Sequence, residues 1–366
     1  MKILYDHQVF ANQRFGGISR YFYELMSYAV AQKIDFDISL ILSNNVYAKC
    51  LKPQVSPFFN SFNFRGQKRL MSIINSFKTN SSLKKQQFDL FHPTFYNDSF
   101  LKNGINNKPF VVTCHDMIDE KFSHYFKSDL VARQKKNQLE AAEAILAVSE
   151  NTKQDIIKIL NIPENKIFVT PLASSFSANM VLPENDFVTK LGDFILYVGL
   201  RDHYKNFLPY VTAIAPILKR NSLKLISAGG GGFTKNEISI FKKLGIQDLV
   251  IQLPINDLFL AQLYNQALFF VFPSQYEGFG IPTLEAFSFG TPVLLANAGS
   301  LPEVGGNAAL YFDPYDMSSM YNKTERLVAN SALRIDLSNK GRSRSNLYSW
   351  EKAAKLTFKV YESVLS

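Results

Sequence analysis

Short runs rich in β-branched and aromatic residues alternate along this chain with longer segments of helical period, and the alternation occurs in two successive sets. KILY (2–5), FDISLIL (36–42), LFHP (90–93), FVVTCH (110–115), AILAVS (144–149) and KIFVT (166–170) make the first, with helical patterns at 19–32, 128–142 and 151–160. FILYVG (194–199), LKLISAG (223–229), LVIQLP (249–254), LFFVFP (268–273), PVLLAN (292–297) and ALYF (309–312) make the second. Parallel strands cannot be joined by a tight turn and need a crossover, so this pattern specifies an α/β chain with two doubly wound domains. At 366 residues the chain also exceeds what one hydrophobic core supports. The boundary is expected in SSFSANMVLPENDF (174–187), where periodicity lapses, giving domains 1–178 and 188–348. Ligands of open α/β sheets lie beyond the carboxyl ends of the strands, so two such domains facing each other are expected to form a cleft. A helix-patterned terminus, 349–366, either stays with the second domain or packs back on the first; periodicity leaves both open.

Charge is uneven. Residues 1–180 carry 22 Lys and Arg against 15 Asp and Glu, the remainder 18 against 16. Residues 38–88 contain no acid, but place Lys49, Lys52, Arg65, Lys68, Arg69, Lys78, Lys84 and Lys85 among Phe58, Phe59, Phe62, Phe64, Leu70, Met71, Ile73, Ile74 and Phe77. Such a stretch fits an anionic membrane surface, or a solvated basic face over ordinary core. Nucleic acid is not an expected partner, because no recognition motif accompanies the charge. Cys50 and Cys114 form neither a disulfide framework nor a zinc pattern. Polar residues interrupt MKILYDHQVF before a signal-peptide core forms, and no apolar run approaches about 18 residues. A cytoplasmic protein is expected, peripheral on the inner face of the cytoplasmic membrane if the basic stretch binds lipid.

Two carboxylates raise a more specific question. In YEGFGIPTLEAFSFG (276–290) a strand ending at Pro273 is followed by a loop with Glu277, Gly278 and Gly280, then by a helix opening at Pro282 and closing at Gly290. Glu285 is expected near the first turn of that helix. A carboxylate there can accept hydrogen bonds from the adjacent hydroxyls of a ribose or hexose, or can cap its own helix. The glycines let backbone amides approach a ligand closely.

The block EGFGIPTLEAFSFGTPVLLANAGSLPEV resembles the E-x7-E region of the retaining glycosyltransferases of family 4, the "glycosyl transferases group 1". YVGLRDHYKNF (197–207), AVSENTKQDI with NIPENKIFVTPL (147–172), RFGGISRYFYEL (14–25) and VTCHDMI (112–118) resemble further segments of that family in order and spacing. The resemblance implies a GT-B fold, with a Rossmann-like acceptor domain preceding a Rossmann-like nucleotide-sugar domain. It implies transfer of a sugar from a UDP- or GDP-sugar to a glycan or lipid-linked acceptor, with retained configuration, as in bacterial O-antigen, lipopolysaccharide or capsule assembly.

No cofactor or metal is expected under this resemblance, so the diphosphate charge must be met by side chains and helix ends. Arg201 and Lys205 suit that task, though a solvated basic loop would look the same. The resemblance further assigns Glu285 to the donor ribose, Glu277 to hydroxyls of the transferred sugar, and the amides near Phe279 and Gly280 to donor phosphate. Gly16 and Gly17, ahead of a helix, can offer amides to a phosphate. His115 is placed beside the transferred sugar; the alternative is a strand-end histidine held by Asp116. No nucleophile is assigned. PLASSF (171–176) and the run Gly229–Gly232 depart from the family pattern. A nucleotide-sugar 2-epimerase and a non-catalytic sugar-nucleotide binder are the competing readings.

Overall fold

In the computed structural model the chain forms two compact units, Met1–Leu172 with Trp350–Ser366, and Ala173–Ser349. The structure describes every residue except 53, 59–63, 65, 104, 106–107 and 178–179. Position 178, the expected end of the first domain, and Phe59, Phe62 and Arg65 of the basic stretch therefore lie outside the described residues. The division falls at Leu172, ahead of the expected linker, because residues just after it already pack in the second unit: the Phe176 ring meets those of Tyr264 and Phe289 at 6.3 and 5.7 Å.

The first unit holds β1 (Lys2–Tyr5), β2 (Asp35–Ile38), β3 (Leu90–His92), β4 (Val111–Cys114), β5 (Ala144–Ala147) and β6 (Ile167–Val169). They form parallel ladders β2-β1-β3 and β4-β5-β6, bridged between Phe91 and Phe110. Every residue of β4 and β5 is buried, as strands covered on both faces must be. β2 is shorter than FDISLIL implied, because after Ser39 N bonds to Tyr5 O the chain leaves the sheet. Chain order reverses between β1 and β3, the switch point at which such sheets open a crevice.

Helix Gln67–Lys85 had no counterpart in the sequence periodicity. Its buried side is Gln67, Met71, Asn75, Thr79 and Leu83, three of them polar. Those polar groups are satisfied by the chain beside them: Asn75 receives the amides of Ile41 and Leu42 at 2.8 and 3.0 Å and donates to the Leu42 carbonyl at 2.8 Å. Helix Trp350–Leu365 belongs to the first unit, with Phe358 against Tyr28 (5.3 Å) and the Tyr361 hydroxyl 2.6 Å from His92 Nδ1.

The second unit holds β7 (Phe194–Val198), β8 (Lys224–Ala228), β9 (Val250–Leu253), β10 (Phe269–Phe272), β11 (Val293–Ala296) and β12 (Ala309–Phe312). They form one parallel sheet ordered β12-β11-β10-β7-β8-β9, whose switch point lies between β7 and β10. Among the described residues no helix is long and apolar enough to cross a membrane.

Candidate active site

The loops that follow β7 and β10 leave the second unit's sheet beside each other at its switch point, and a salt bridge joins them. Lys205 Nζ donates to Glu277 Oε1 at 2.7 Å, the two side chains being 17% and 11% exposed. The ammonium also lies 5.0 Å from the Tyr204 ring centroid and 5.8 Å from that of Phe272. The backbone below is held as well: Ser300 Oγ lies 2.9 and 2.8 Å from the carbonyl oxygens of Glu277 and Phe279, and Gln275 N donates to Tyr204 O at 2.7 Å. A cation and a carboxylate are thus fixed within one hydrogen bond of each other, at the edge where the strands end.

Helix Ile281–Phe289 starts immediately beyond. Gly280, its N-cap, has φ +106°, and a Cβ there would stand 2.9 Å from Leu301 Cδ2, so the position requires glycine. No side chain caps this end, Pro282 follows within the first two positions, and Phe279 is held edge-on to Tyr348 at 5.7 Å. The amide groups of this terminus are the positive end of a helix dipole. Glu285 falls past the first turn and does not cap the helix; its Oε2 accepts the Tyr264 hydroxyl at 2.9 Å. Burial and that carboxylate push the Tyr264 phenol well above its ordinary range, so it remains a donor.

Arg201 takes different partners from Lys205. Nε donates to Glu237 Oε1 at 2.7 Å, Nη1 contacts Ser227 Oγ and Gly229 O at 3.4 Å each, and Nη2 donates to Gly231 O and Gly232 O at 3.0 and 2.9 Å. Its guanidinium lies 4.8 Å from the Phe233 ring centroid, and its side chain is 5% exposed. Burial pushes the Glu237 carboxyl up, but hydrogen bonds from Arg201 and Thr234 outweigh it and hold the group below the usual carboxylate range. In this conformation Arg201 braces the glycine loop; a phosphate would have to displace those carbonyls to reach it. The loop accepts this brace because Gly230, at φ +68°, has Gly199 O only 2.5 Å from where a Cβ would be.

The remaining expected residues lie in the first unit. Gly16 is the N-cap of helix Gly17–Ala31, and Gln13 Oε1 accepts the Ser19 amide at 3.3 Å, so one amide of that terminus already has a side-chain partner. His115 follows β4, half-buried, with its ring edge-on to Tyr21 at 5.4 Å. Asp116 does not hold this imidazole; its Oδ1 accepts the Ile118 amide at 3.0 Å. Burial pushes His115 down to about 4, Asp116 opposing and Lys135 reinforcing, so the ring is neutral at neutral pH. His92 is structural, bonded to Tyr361 and Thr113. At the carboxyl ends of β1 and β3 the unit also has a cavity of about 410 Å³, whose walls include His7, Asn12, Asn80, Phe95, Tyr96 and Gln134.

Glu237, Tyr264 and the cavity were not anticipated. Thr234 and Glu237 form a capping box, a spacing the sequence does show. Nothing in the sequence links Tyr264 to Glu285.

Comparison with known proteins adds the following. Residues 186–344 match the model described as glycosyl transferases group 1, and residues 15–173 that of glycosyltransferase family 4. The chain is 30% identical over 289 residues to an O-antigen chain mannosyltransferase B of Escherichia coli, covering 75% of this chain and 74% of that protein. Among solved structures, a sucrose-phosphate synthase from Thermosynechococcus elongatus superposes with TM-score 0.77 at 19% identity, covering 99% of this chain and 98% of the other. Anabaena Alr3699/HepE in complex with UDP and glucose gives TM-score 0.77 at 17% identity, covering 99% and 100%. These two likenesses establish the fold, which is GT-B.

Proposed function

We propose, since this chain belongs to the group 1, family 4 glycosyltransferases, that it moves a sugar from a UDP- or GDP-sugar to a glycan or lipid-linked acceptor in the assembly of a bacterial surface polysaccharide. The observation that carries this reading is the Lys205–Glu277 pair beside the uncapped terminus of helix Ile281–Phe289. An ammonium and a helix N-terminus suit a diphosphate, and a carboxylate with a free lone pair suits sugar hydroxyls. Glu285, aligned by Tyr264, takes the ribose hydroxyls, and the amides of Phe279 and Gly280 take phosphate oxygens. Arg201 joins the phosphate contacts by exchanging glycine carbonyls for phosphate oxygens.

The acceptor is assigned to the first unit, where the cavity combines carboxamides, an imidazole and aromatic faces. Neutral His115 donates to a sugar hydroxyl, and the helix opening at Gly16 and Gly17 offers amides to phosphate. In the step itself the bond from the anomeric carbon to the phosphate oxygen breaks. The acceptor oxygen bonds the same carbon from the same face, and its proton passes to the departing phosphate. Charge on the leaving group is met by Lys205 and amides, without a metal ion.

A mannosyltransferase as relative makes GDP-mannose the first donor to test, beside UDP-glucose and dTDP-glucose. The expected result is a thermal shift with one nucleotide class, and an extended acceptor with the donor's anomeric configuration by NMR. Conversion to an epimeric nucleotide-sugar without acceptor would establish the 2-epimerase instead, and binding without turnover a carrier.

A further inference from the structure

Lys135, on helix Leu130–Ala141, is fully buried and enters the site described above only through its charge near His115. An ammonium in that position is costly unless close partners meet it. Its Nζ lies 2.9 Å from Glu120 Oε2, 3.3 Å from Asp119 Oδ2 and 3.7 Å from Asp116 Oδ1, donates to the Asp116 carbonyl at 3.1 Å, and sits 5.3 Å from the Tyr96 ring centroid. All three carboxylates come from the turn that follows His115. Three acids around one ammonium exceed what a neutral pair needs, and Glu120 Oε1 is buried with no hydrogen-bond partner among the described residues. Stability alone does not account for such a cluster, since well-packed apolar residues in place of the lysine and its acids together would serve as well.

The cluster does something geometric. The Tyr96 hydroxyl accepts the His115 amide at 3.0 Å and donates to the Thr113 carbonyl at 3.2 Å, while Lys135 holds the carbonyl of Asp116. The backbone is therefore pinned on both sides of His115, and the imidazole rests edge-on against Tyr21. Among the described residues no protein group bonds its ring nitrogens.

We propose that Lys135 is a positioning residue, fixing the 115–120 turn so that His115 directs its ring nitrogens to a sugar hydroxyl. The proposal rests on the reading of His115 given above. Charge acts in the same sense. The charged and titratable groups that face the ring are Asp116 from the same turn, Lys135, His92 and Tyr21, while Asp119 and Glu120 join Asp116 around Lys135, the cation that offsets the acids. Without it the uncompensated carboxylates favour the imidazolium, so the His115 pKa rises.

The test is NMR titration of ring-labelled histidines in the full chain, with His115→Ala providing the assignment. In the parent, the His115 ring stays neutral down to about pH 5; in Lys135→Gln its titration moves up by about 1 unit or more, and Lys135→Arg restores the parental curve. A folded Lys135→Gln protein with an unmoved His115 titration overturns the proposal. Should Lys135→Gln not fold, Tyr96→Phe removes a backbone pin without changing charge. It is expected to shift the His115 ring resonances and lower kcat about tenfold with donor KM unchanged, and parental resonances and kcat would overturn the proposal. Transfer at the parental rate by His115→Ala would defeat the sugar contact in both readings, while the titration separately decides whether Lys135 holds the ring.

Discussion

Glu277 is already half of an ion pair before any substrate arrives. Its carboxylate and the Lys205 ammonium are mostly buried, so removing either leaves the other with a desolvated charge. Replacing Lys205 by Met is expected to abolish the thermal shift given by UDP or GDP, because the proposed site offers that ammonium to the diphosphate. Replacing Arg201 by Lys is expected to act differently: the unliganded protein loses about 1.5–3 kcal/mol from the broken charge-assisted hydrogen bonds, read as a lower Tm without ligand. Equal nucleotide shifts in Lys205→Met and parent would remove Lys205 from the site. The contrast also marks what the sequence could disclose. Glu277, Gly280 and Glu285 share one strand-loop-helix segment, so local pattern places them. The partners Arg201 takes in this conformation, Glu237, Ser227 and the glycine carbonyls, lie 26 or more positions away and come within reach only when β7 and β8 pair, so local pattern does not show them.

Helix Gln67–Lys85 shows why one element stayed hidden. Helical periodicity is read from apolar spacing, and here Asn75 and Thr79 occupy buried positions because loop amides and His7 satisfy them. Three apolar side chains instead face outward: Leu70, Ile73 and Phe77 are 43%, 45% and 71% exposed and, at spacings of three and four, share one face of the helix with Arg69 and Lys84. An exposed apolar stripe flanked by basic residues is the form expected of a helix lying on an anionic bilayer. Phe77→Glu should therefore reduce sedimentation with phosphatidylglycerol vesicles about tenfold, leaving binding of the nucleotide unchanged. Co-sedimentation equal to the parent would return the stripe to an ordinary solvated surface.

At the scale of the molecule, the twelve strands among the described residues were legible because each falls in a short run rich in β-branched and aromatic residues, and those inside the sheets, such as β4, β5, β7, β10 and β11, are buried throughout. The destination of helix Trp350–Leu365 was not, since its apolar face would fit either unit; what decides it is a particular set of partners, with Tyr361 against His92, Tyr5 and Phe358. Burial pushes His92 down to about 3, so this imidazole is neutral and hydrogen-bonded on both nitrogens, to Tyr361 and Thr113. Tyr361→Ala is expected to destabilise the first unit by about 3–5 kcal/mol, the range for deleting a buried aromatic ring, through a cavity and an orphaned imidazole. Calorimetry should then show an early transition for the first unit and an unchanged one for the second; an unaltered first transition would contradict that packing. The return of this helix also orders events during synthesis. Residues 173–349 must be translated between Leu172 and Trp350, which at about 5–20 residues per second takes on the order of ten to forty seconds. During that interval the ribosome holds a first unit whose His92 and Tyr5 still lack their phenolic partner, so the second unit can finish folding before the first.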